Sequence, residues 1–340
     1  MSDQDARATP ATANADEFLD QSRLPRSRPN STCHRVALSE TLDGTAIAVP
    51  AGLIHGTNEG PRIWIQAGLH GDEVCGVAAA HRILASGLPR LLRGTVVVVP
   101  VVNVLAFSTR SRTSPLDGQD GNRVWGVRAL QPTEQHSHTI GYLSAYWDLV
   151  RSFEPTAIID LHDGGPSFEV APHALYVTGT EESALRAREL ARTSRMPYSL
   201  AVGMEGGTTF DHGARLASIP SVTLEAGGST PPTGTTVTRL YRAVRSVLAA
   251  CGTMRAKASE AASVPIAFDR TSWARASRAG LLTLLVRLGN EVHEGQLVAH
   301  VVDIFGNIVE EVPAPMAGTV FAVRRSPVVD VGDQVVKVAS

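Results

Sequence analysis

The chain has 340 residues, of which 43% are hydrophobic and 19% charged, and its formal net charge at pH 7 is -2. This composition is typical of a soluble globular protein and leaves room for one large domain and a smaller one. The small net charge gives no reason to expect nucleic acid or a membrane surface as a partner. No apolar run approaches the roughly 18 residues that span a bilayer.

The first 30 residues are polar and rich in Ala, Arg, Asp and Pro. They lack an apolar segment followed by a small-residue cleavage site, so we expect no secretory signal and predict a disordered leader over residues 1–30. The three cysteines, Cys33, Cys75 and Cys251, form no CxxC pair. This pattern favours a reducing cytoplasm over a disulfide-forming compartment.

Residues 31–250 show apolar strand-like segments that alternate with helical ones. This alternation indicates an α/β domain with a mostly parallel mixed sheet sandwiched by helices. Strands are predicted over 62–67, 95–102, 156–161, 175–178 and 221–225, and helices over 72–86, 140–153, 181–194 and 236–250.

The C-terminal part has a different pattern. Residues 251–264 are small and polar and are interpreted as a linker, and short strand-like runs with glycine turns fill residues 265–340. The stretches 286–296 and 313–320 resemble the two halves of a biotinyl/lipoyl-type barrel, so we predict a small all-β, barrel-like domain. Met316 is followed by alanine and not by a modifiable lysine. A structural role, either shielding the active site or building an oligomer interface, is therefore favoured over a carrier function.

A candidate metal site lies at the ends of the predicted strands. His70 and Glu73 are three residues apart where the first strand meets the first helix, and imidazole and carboxylate are both good zinc ligands. His162 follows strand 156–161, and the carboxyl ends of strands in an open α/β sheet are where ligands bind. Each residue alone could instead be structural. Three aspartates are available to orient the imidazoles: Asp72, Asp160 and Asp163.

Two further features could serve catalysis. The segment 110–135 is polar and aperiodic, and its arginines could bind a carboxylate through paired hydrogen bonds or stabilise an oxyanion. A solvated loop would have the same composition. Glu225 ends a predicted strand and could act as general base and then as acid. Its alternative is an ion-paired surface carboxylate.

The order of these residues resembles the zinc carboxypeptidase-like superfamily and, within it, the succinylglutamate desuccinylase/aspartoacylase family. The most specific part runs from Arg112 to Arg123 and contains Pro115, Asp117-Gly118, Asp120 and Asn122. The resemblance covers residues 50–250 and implies a zinc-dependent amidohydrolase of linear amides. It implies one Zn²⁺ per subunit, held by His70, Glu73 and His162.

The resemblance also implies roles for other side chains. Arg112 would polarise the substrate carbonyl, Glu225 would be the base, and Asn122 with Arg123 would bind the substrate carboxylate. Arg215 matches the position of an arginine that aspartoacylases use for a second carboxylate. The tyrosine that accompanies it in that family has no match here, which argues against N-acetylaspartate as the substrate.

Within the family, three segments look like bacterial deacetylases that act on N-acetyl-diaminobutyrate in ectoine degradation: 115–118, 212–215 and 219–220. The partner would be a small N-acyl amino acid, and a homo-oligomer is left open. A second, cationic amine on this substrate would need an acidic partner, for which Glu205, Asp211 and Asp163 are candidates. Two alternatives remain: a metallocarboxypeptidase acting on peptides, and a non-catalytic binding or carrier protein that keeps the fold.

Overall fold

The computed structural model describes residues 12–23, 30–86, 88, 93–125, 137–205, 207–228, 231–255 and 264–340. Within these ranges there are seven helices, and none of them has the length and apolar character needed to cross a membrane. The helices are α1 (Ala15–Arg23), α2 (Val74–Ser86), α3 (Val104–Thr109), α4 (His138–Ser152), α5 (Glu182–Thr193), α6 (Phe210–Leu216) and α7 (Gly234–Ala250).

The same ranges contain strands that belong mainly to one large mixed sheet. The first nine are β1 (Thr12–Ala13), β2 (Asn30–Glu40), β3 (Ala46–His55), β4 (Asn58–Ala67), β5 (Arg93–Val99), β6 (Ala157–His162), β7 (Phe168–Val177), β8 (Tyr198–Val202) and β9 (Ser221–Gly227). The others are β10 (Ile266–Phe268), β11 (Thr271–Arg275), β12 (Gly280–Leu284), β13 (Glu291–Val292), β14 (Leu297–Val302), β15 (Ile308–Pro313), β16 (Gly318–Arg324), β17 (Val328–Val329) and β18 (Gln334–Ala339).

The large sheet has a parallel centre with antiparallel flanks. Strands β5, β4, β6 and β9 lie side by side in parallel, while β3 joins β5 and β7 joins β9 in antiparallel fashion. The predicted α/β class with a large mixed sheet is therefore confirmed. The long β2–β3 pair was not predicted, because β2 is largely polar and lacks an apolar run.

Helices cover both faces of the parallel centre, and the strand sequences explain why. Successive side chains of a strand point to opposite faces. Ile63 and Ile65 of β4 accordingly pack into a core cluster that includes residues of α2 and α7, whereas Trp64 packs into another cluster with residues of α4. Burial on both faces explains the continuous apolar runs in these strands.

Two glycines allow the close approaches that shape the edge of the sheet. A side chain at Gly71 would lie 2.0 Å from the carbonyl carbon of Ala106, and one at Gly76 would lie 2.7 Å from the Leu161 carbonyl oxygen. The turn after β4 therefore packs directly on α3, and α2 packs directly on β6. This packing sets the start of α2 beside the end of β6.

The predicted disordered leader is wrong for residues 12–23. These residues form β1, which pairs with β2, and α1, whose Phe18 and Leu19 are buried in the core. Two apolar residues in an otherwise polar segment were too weak a pattern to predict this helix. Residues 1–11 and 24–29 lie outside the described residues, as do residues 256–263 of the predicted linker.

An antiparallel β domain is present at the C-terminus, but it is not separate from the large sheet. Strand β16 pairs with β7, so that Ala322 faces Val170, and β18 and β11 extend the same sheet. A second sheet has the order β15-β14-β12-β17. The expectation of an independent domain is corrected here, because backbone hydrogen bonds join it to the strand beside β9. The barrel-like shape stays a prediction.

Candidate active site and metal centre

Three side chains that could bind a metal ion meet at the carboxyl end of the parallel centre. His70 lies in the turn after β4, Glu73 immediately precedes α2, and His162 ends β6. Because β4 and β6 are adjacent parallel strands, the residues that follow them emerge side by side. One potential ligand atom from each side chain lies within 4.8 Å of the other two, and all three residues are buried. The structure thus brings the three predicted ligands together.

Both imidazoles turn the same nitrogen towards Glu73. His70 Nδ1 lies 2.6 Å from Glu73 Oε1, and His162 Nδ1 lies 2.6 Å from Glu73 Oε2. Each Nε2 faces an aspartate, at 2.9 Å for His70 and Asp120 and at 3.1 Å for His162 and Asp160. A carboxylate at Nε2 favours the proton on that nitrogen and leaves Nδ1 available as a ligand.

Electrostatic interactions within this cluster offset the effect of burial. Burial disfavours the ionised form of Glu73, but His70 and His162 hold its pKa well below the usual range. Burial also disfavours a charge on His162, but the carboxylates of Asp160 and Glu73 raise its pKa well above the usual value. The charged forms of these buried side chains therefore stabilise one another.

The donor set fits zinc. Two imidazole nitrogens and one carboxylate are ligands of the kind that catalytic zinc sites use, and Asp120 and Asp160 are outer partners of the usual type. Within the described part of the chain, Asp72 and Asp163 make no hydrogen bond to either ring. Asp163 instead accepts hydrogen bonds from the Cys75 and Gly165 amides, each at 2.6 Å. Burial raises the pKa of Asp163 to about 7.

Arg112 lies beside the three candidate metal ligands. Its NH1 donates to Glu73 Oε1 and its Nε donates to Asp120 Oδ2, both at 3.0 Å. Burial disfavours its charge, but these two carboxylates raise the pKa of the guanidinium. Because 44% of the side chain is exposed, the guanidinium can also contact a bound substrate. This position suits the stabilisation of an oxyanion.

The polar loop carries Asn122 and Arg123 to the same edge of the sheet. Asn122 donates its backbone amide to Asp120 Oδ1 at 2.8 Å, and its Oδ1 accepts a hydrogen bond from the Phe210 amide at 2.7 Å. Arg123 NH1 donates to the Asn122 carbonyl at 2.7 Å. Both residues line the cavity that the three candidate metal ligands also line. Residues 126–135 of the predicted loop lie outside the described residues.

Glu225 reaches the site from β9, the strand next to His162. In the sheet it is paired with His162 on one side and with His173 of β7 on the other. His173 Nδ1 donates to the Ala171 carbonyl at 2.8 Å, and its Nε2 faces Glu225 Oε2 at 3.4 Å. Burial opposes ionisation of Glu225, but His173 lowers its pKa below the usual value. An ionised carboxylate in this position can accept a proton.

Apart from the buried Asp160, the imidazoles, carboxylates and arginines described above line one cavity of about 550 Å³. Part of its wall comes from the C-terminal β domain, which contributes Trp273, Phe321 and Lys337. Lys337 Nζ lies 5.8 Å from the centre of the Trp273 ring. Burial lowers the pKa of Lys337, while the charge of Glu225 favours its protonated form. The C-terminal domain therefore contributes part of the cavity wall.

Arg215 does not reach this cavity, which corrects the prediction that it binds substrate. Its NH2 donates to Glu181 Oε2 at 2.6 Å, just before α5. Distance along the chain from Glu225 does not determine which way a residue of α6 points. Glu205, a candidate partner for a substrate amine, does not line the cavity either.

Asp211 does line the cavity, as the prediction of an acidic partner requires. It is buried and accepts hydrogen bonds from the hydroxyls of Ser221 and Thr223. Burial raises its pKa to about 6. Asp211 and Asp163 are thus the two predicted acidic partners that a bound substrate could contact.

Three contributors to the site were not predicted from the sequence. Asp120 lies inside the motif that carries the family resemblance, but its contact with His70 spans 50 residues of sequence and has no local signal. His173 depends on the pairing of β7 with β9. Lys337 depends on the continuation of the large sheet into the C-terminal domain.

Comparison with known proteins gives a family and several relatives. The family model described as the succinylglutamate desuccinylase/aspartoacylase catalytic domain matches residues 59–251. The N-alpha-acetyl-L-2,4-diaminobutyric acid deacetylase of Halomonas elongata is 27% identical over 302 residues, which are 86% of this chain and 86% of that protein.

Two solved structures show the same fold. The product-bound ectoine utilization protein EutE (DoeB) of Ruegeria pomeroyi has a TM-score of 0.80 at 21% identity, covering 93% of this chain and 97% of that one. A succinylglutamate desuccinylase/aspartoacylase of Rhodobacter sphaeroides has a TM-score of 0.77 at 22% identity, covering 93% of this chain and 96% of that one.

Proposed function

The chain belongs to the succinylglutamate desuccinylase/aspartoacylase family, and we propose that it is a zinc-dependent deacylase that hydrolyses the amide bond of a small N-acyl amino acid. The observation that carries this proposal is the convergence of His70, Glu73 and His162 in one cavity with Glu225. A cavity of about 550 Å³ suits a substrate of amino-acid size.

Within this class we favour N-acetyl-diaminobutyrate as the substrate, in a cytoplasmic pathway of ectoine degradation. The Halomonas relative is named for the deacetylation of that compound, and EutE is named for ectoine utilization. A substrate of this kind has an α-carboxylate and a cationic amine. The cavity offers Arg123 to the first group and Asp163 or Asp211 to the second.

The cofactor in this proposal is one Zn²⁺ per subunit, held by His70, Glu73 and His162. When bound, zinc would polarise the amide carbonyl and lower the pKa of water at the site. Asp120 and Asp160 keep the two imidazoles oriented through their Nε2 atoms. These contacts at Nε2 leave Nδ1 of each ring available to the metal.

The protein side chains would then carry the proton transfers and hold the substrate. Glu225 takes a proton from the attacking water and passes it to the departing amine nitrogen. Arg112 donates hydrogen bonds to the carbonyl oxygen as negative charge develops on it. Asn122 and Arg123 bind the α-carboxylate, which fixes the amide in line with Glu225.

Two alternative functions lead to different expectations for the cavity. A metallocarboxypeptidase would share the zinc chemistry but needs an open cleft, whereas part of this cavity wall comes from Trp273, Phe321 and Lys337 of the C-terminal domain, which favours a small substrate. A non-catalytic binding or carrier protein would have no use for an ionised Glu225 beside a complete set of metal ligands.

A release assay with zinc-loaded protein tests the proposal. The substrates are N-acetyl-diaminobutyrate, N-acetylaspartate, N-succinylglutamate, N-formyl amino acids and blocked dipeptides, and the control is the Glu225→Gln variant. We expect the highest kcat/KM for N-acetyl-diaminobutyrate and loss of turnover in the variant. Preferential cleavage of the dipeptides would indicate a carboxypeptidase. Absence of bound zinc and of turnover would favour the binding protein.

A further inference from the structure

A second cavity opens between helices α2, α5 and α7, and it shares no lining residue with the catalytic cavity. Its volume is about 440 Å³, and an adjoining cavity of about 480 Å³ shares Arg195, Thr238 and Arg242 with it. Arginine is the most frequent residue type in both linings, and no described aspartate or glutamate contributes to either. These arginines, here called the arginine groove, are Arg82, Arg192, Arg195, Arg239, Arg242, Arg245 and Arg255.

The charge of the groove is unusual for this chain. The whole protein has a formal net charge of -2, yet α7 contains three arginines and no acidic residue. Arg192 is neutralised by Glu189 through two hydrogen bonds of 2.8 Å. Among the residues that the structure describes, no carboxylate pairs with five of the others: Arg82, Arg239, Arg242, Arg245 and Arg255. Like charges on one helix face repel one another, so this arrangement favours an external anion.

Two of these guanidinium groups, those of Arg82 and Arg245, are held in place before any ligand arrives. The Arg82 guanidinium lies 4.6 Å from the centre of the Tyr241 ring, and its NH1 donates to Thr238 Oγ1 at 2.8 Å. Arg245 NH1 lies 3.2 Å from the Tyr241 hydroxyl oxygen. Stacking on an aromatic ring orients a guanidinium at little entropic loss on binding. These side chains are therefore ordered donors and not only a diffuse positive surface.

Arg195 adds an independent observation from the backbone. It follows the C-cap of α5 with a φ of 62°, in the left-handed region where glycine or asparagine is favoured. Its side chain lines both cavities. An arginine thus occupies a strained backbone position at the point where the two cavities meet.

We propose that the arginine groove binds a small phosphorylated metabolite with two or more phosphate groups. A guanidinium donates two parallel hydrogen bonds to a phosphate, and the two connected cavities have room for phosphates at more than one place. Thr235, in the first turn of α7, lines the second cavity, and its hydroxyl can add a donor. Ala249, Ala250 and Met254 form an apolar wall for the organic part of the ligand. A compact groove in a chain of nearly zero net charge favours a small ligand over a nucleic acid.

Calorimetric titration of the full-length, metal-loaded protein with ATP tests this proposal. Excess magnesium is present so that the nucleotide does not remove the active-site metal. We expect saturable binding that the Arg239→Gln/Arg242→Gln variant weakens by at least about tenfold, because charge-assisted hydrogen bonds are lost. The matched control is Arg278→Gln/Arg287→Gln, which changes two exposed arginines of the C-terminal domain and should bind ATP as the wild type does.

The possible outcomes distinguish a defined binding site from a diffuse positive surface. Equal affinity in the wild type and in the groove variant would overturn the proposal, as would the absence of saturable binding. Orthophosphate that binds as tightly as ATP would overturn the requirement for two phosphates. A duplex DNA fragment that binds far more tightly than ATP would indicate a nucleic-acid surface instead. An ATP-dependent rise in the unfolding midpoint of the wild type, missing in the groove variant, would support the site independently.

Discussion

The catalytic cavity and the arginine groove are both highly charged, but they balance their charges in opposite ways. In the cavity, Glu73 lies between two imidazoles, and Asp120 binds both His70 and Arg112. In the groove, Arg192 pairs with Glu189, whereas no described carboxylate pairs with five other arginines: Arg82, Arg239, Arg242, Arg245 and Arg255. The candidate metal ligands are therefore balanced by neighbouring side chains, whereas most arginines of the groove lack a described counter-charge, which favours an anion from outside.

The largest effect is expected when one member of the balanced set is removed. His162→Ala leaves Glu73 and Asp160 without their shared partner in a buried place, so we expect a loss of stability of about 3–5 kcal/mol in the metal-free protein. Zinc content should fall and turnover should disappear. Chemical unfolding and metal analysis measure the two effects. The control is His81→Ala on the exposed face of α2, and full zinc occupancy in the His162 variant would refute the ligand assignment.

Glu225→Gln is expected to act on the chemistry alone. The amide keeps the size of the side chain but cannot accept the proton, so kcat should fall by about 10²–10⁴-fold. Glu225 is not one of the three candidate ligands, and zinc content should therefore stay at the wild-type level. Stopped assays and metal analysis on the same preparation provide the test. Unchanged turnover would remove Glu225 from the role of base.

The centre of the fold could be predicted because its signals are local. The strands around Ile63–Ile65 and 157–161 are apolar on both faces, and the helices between them are long enough to recognise. The β2–β3 pair, α1 and the junction of β7 with β16 could not be predicted, because they depend on partners far away in sequence. The periodicity of one segment says nothing about which strand lies beside it.

In the site, too, the residues that could be predicted have local signals, whereas the others depend on partners distant in sequence. His70, Glu73 and His162 follow strand ends, and parallel strands bring their ends to one edge. Arg215 was misplaced and His173 was missed because their positions depend on the rotation of α6 and on the register of β7 against β9. Residues at strand ends can thus be assigned from the sequence, whereas contacts across the sheet require the register.

Substitutions at His173 test whether this residue sets the pKa of the proposed base, Glu225. Its Nε2 lies 3.4 Å from Glu225 Oε2 and lowers the pKa of that carboxyl. In the proposed role of base, Glu225 can act only when ionised, and the ionised form is lost as the pH falls through its pKa. His173→Phe should therefore move the acidic limb of the kcat/KM profile to higher pH. His173→Gln, which can still donate a hydrogen bond, should shift it less. An unmoved limb would show that His173 is only structural.

A substitution at Lys337 tests whether the C-terminal domain contributes a charge that helps to bind the substrate. It lines the cavity from β18, and within the described residues it has no carboxylate partner at ion-pair distance. Its charge should attract the α-carboxylate of the substrate more than it assists the chemistry. Lys337→Met should therefore raise KM by roughly threefold to tenfold with a smaller change in kcat. Arg275→Met, on the exposed side of the same domain, is the control. A fall in kcat at constant KM would contradict this division of roles.

The smallest expected effect is also the one that distinguishes the two regions most directly. Removing a charge from the cavity leaves its partners unbalanced, whereas removing charges from the groove relieves repulsion among Arg239, Arg242 and their neighbours. The Arg239→Gln/Arg242→Gln variant should therefore unfold about 1 °C above the wild type at low salt and without multivalent anions. The difference should vanish at high ionic strength, because salt screens exposed charges. Thermal unfolding at two salt concentrations measures it. A variant that is less stable than the wild type at low salt would mean that the groove arginines are already balanced within the protein, and the contrast between the two regions would not hold.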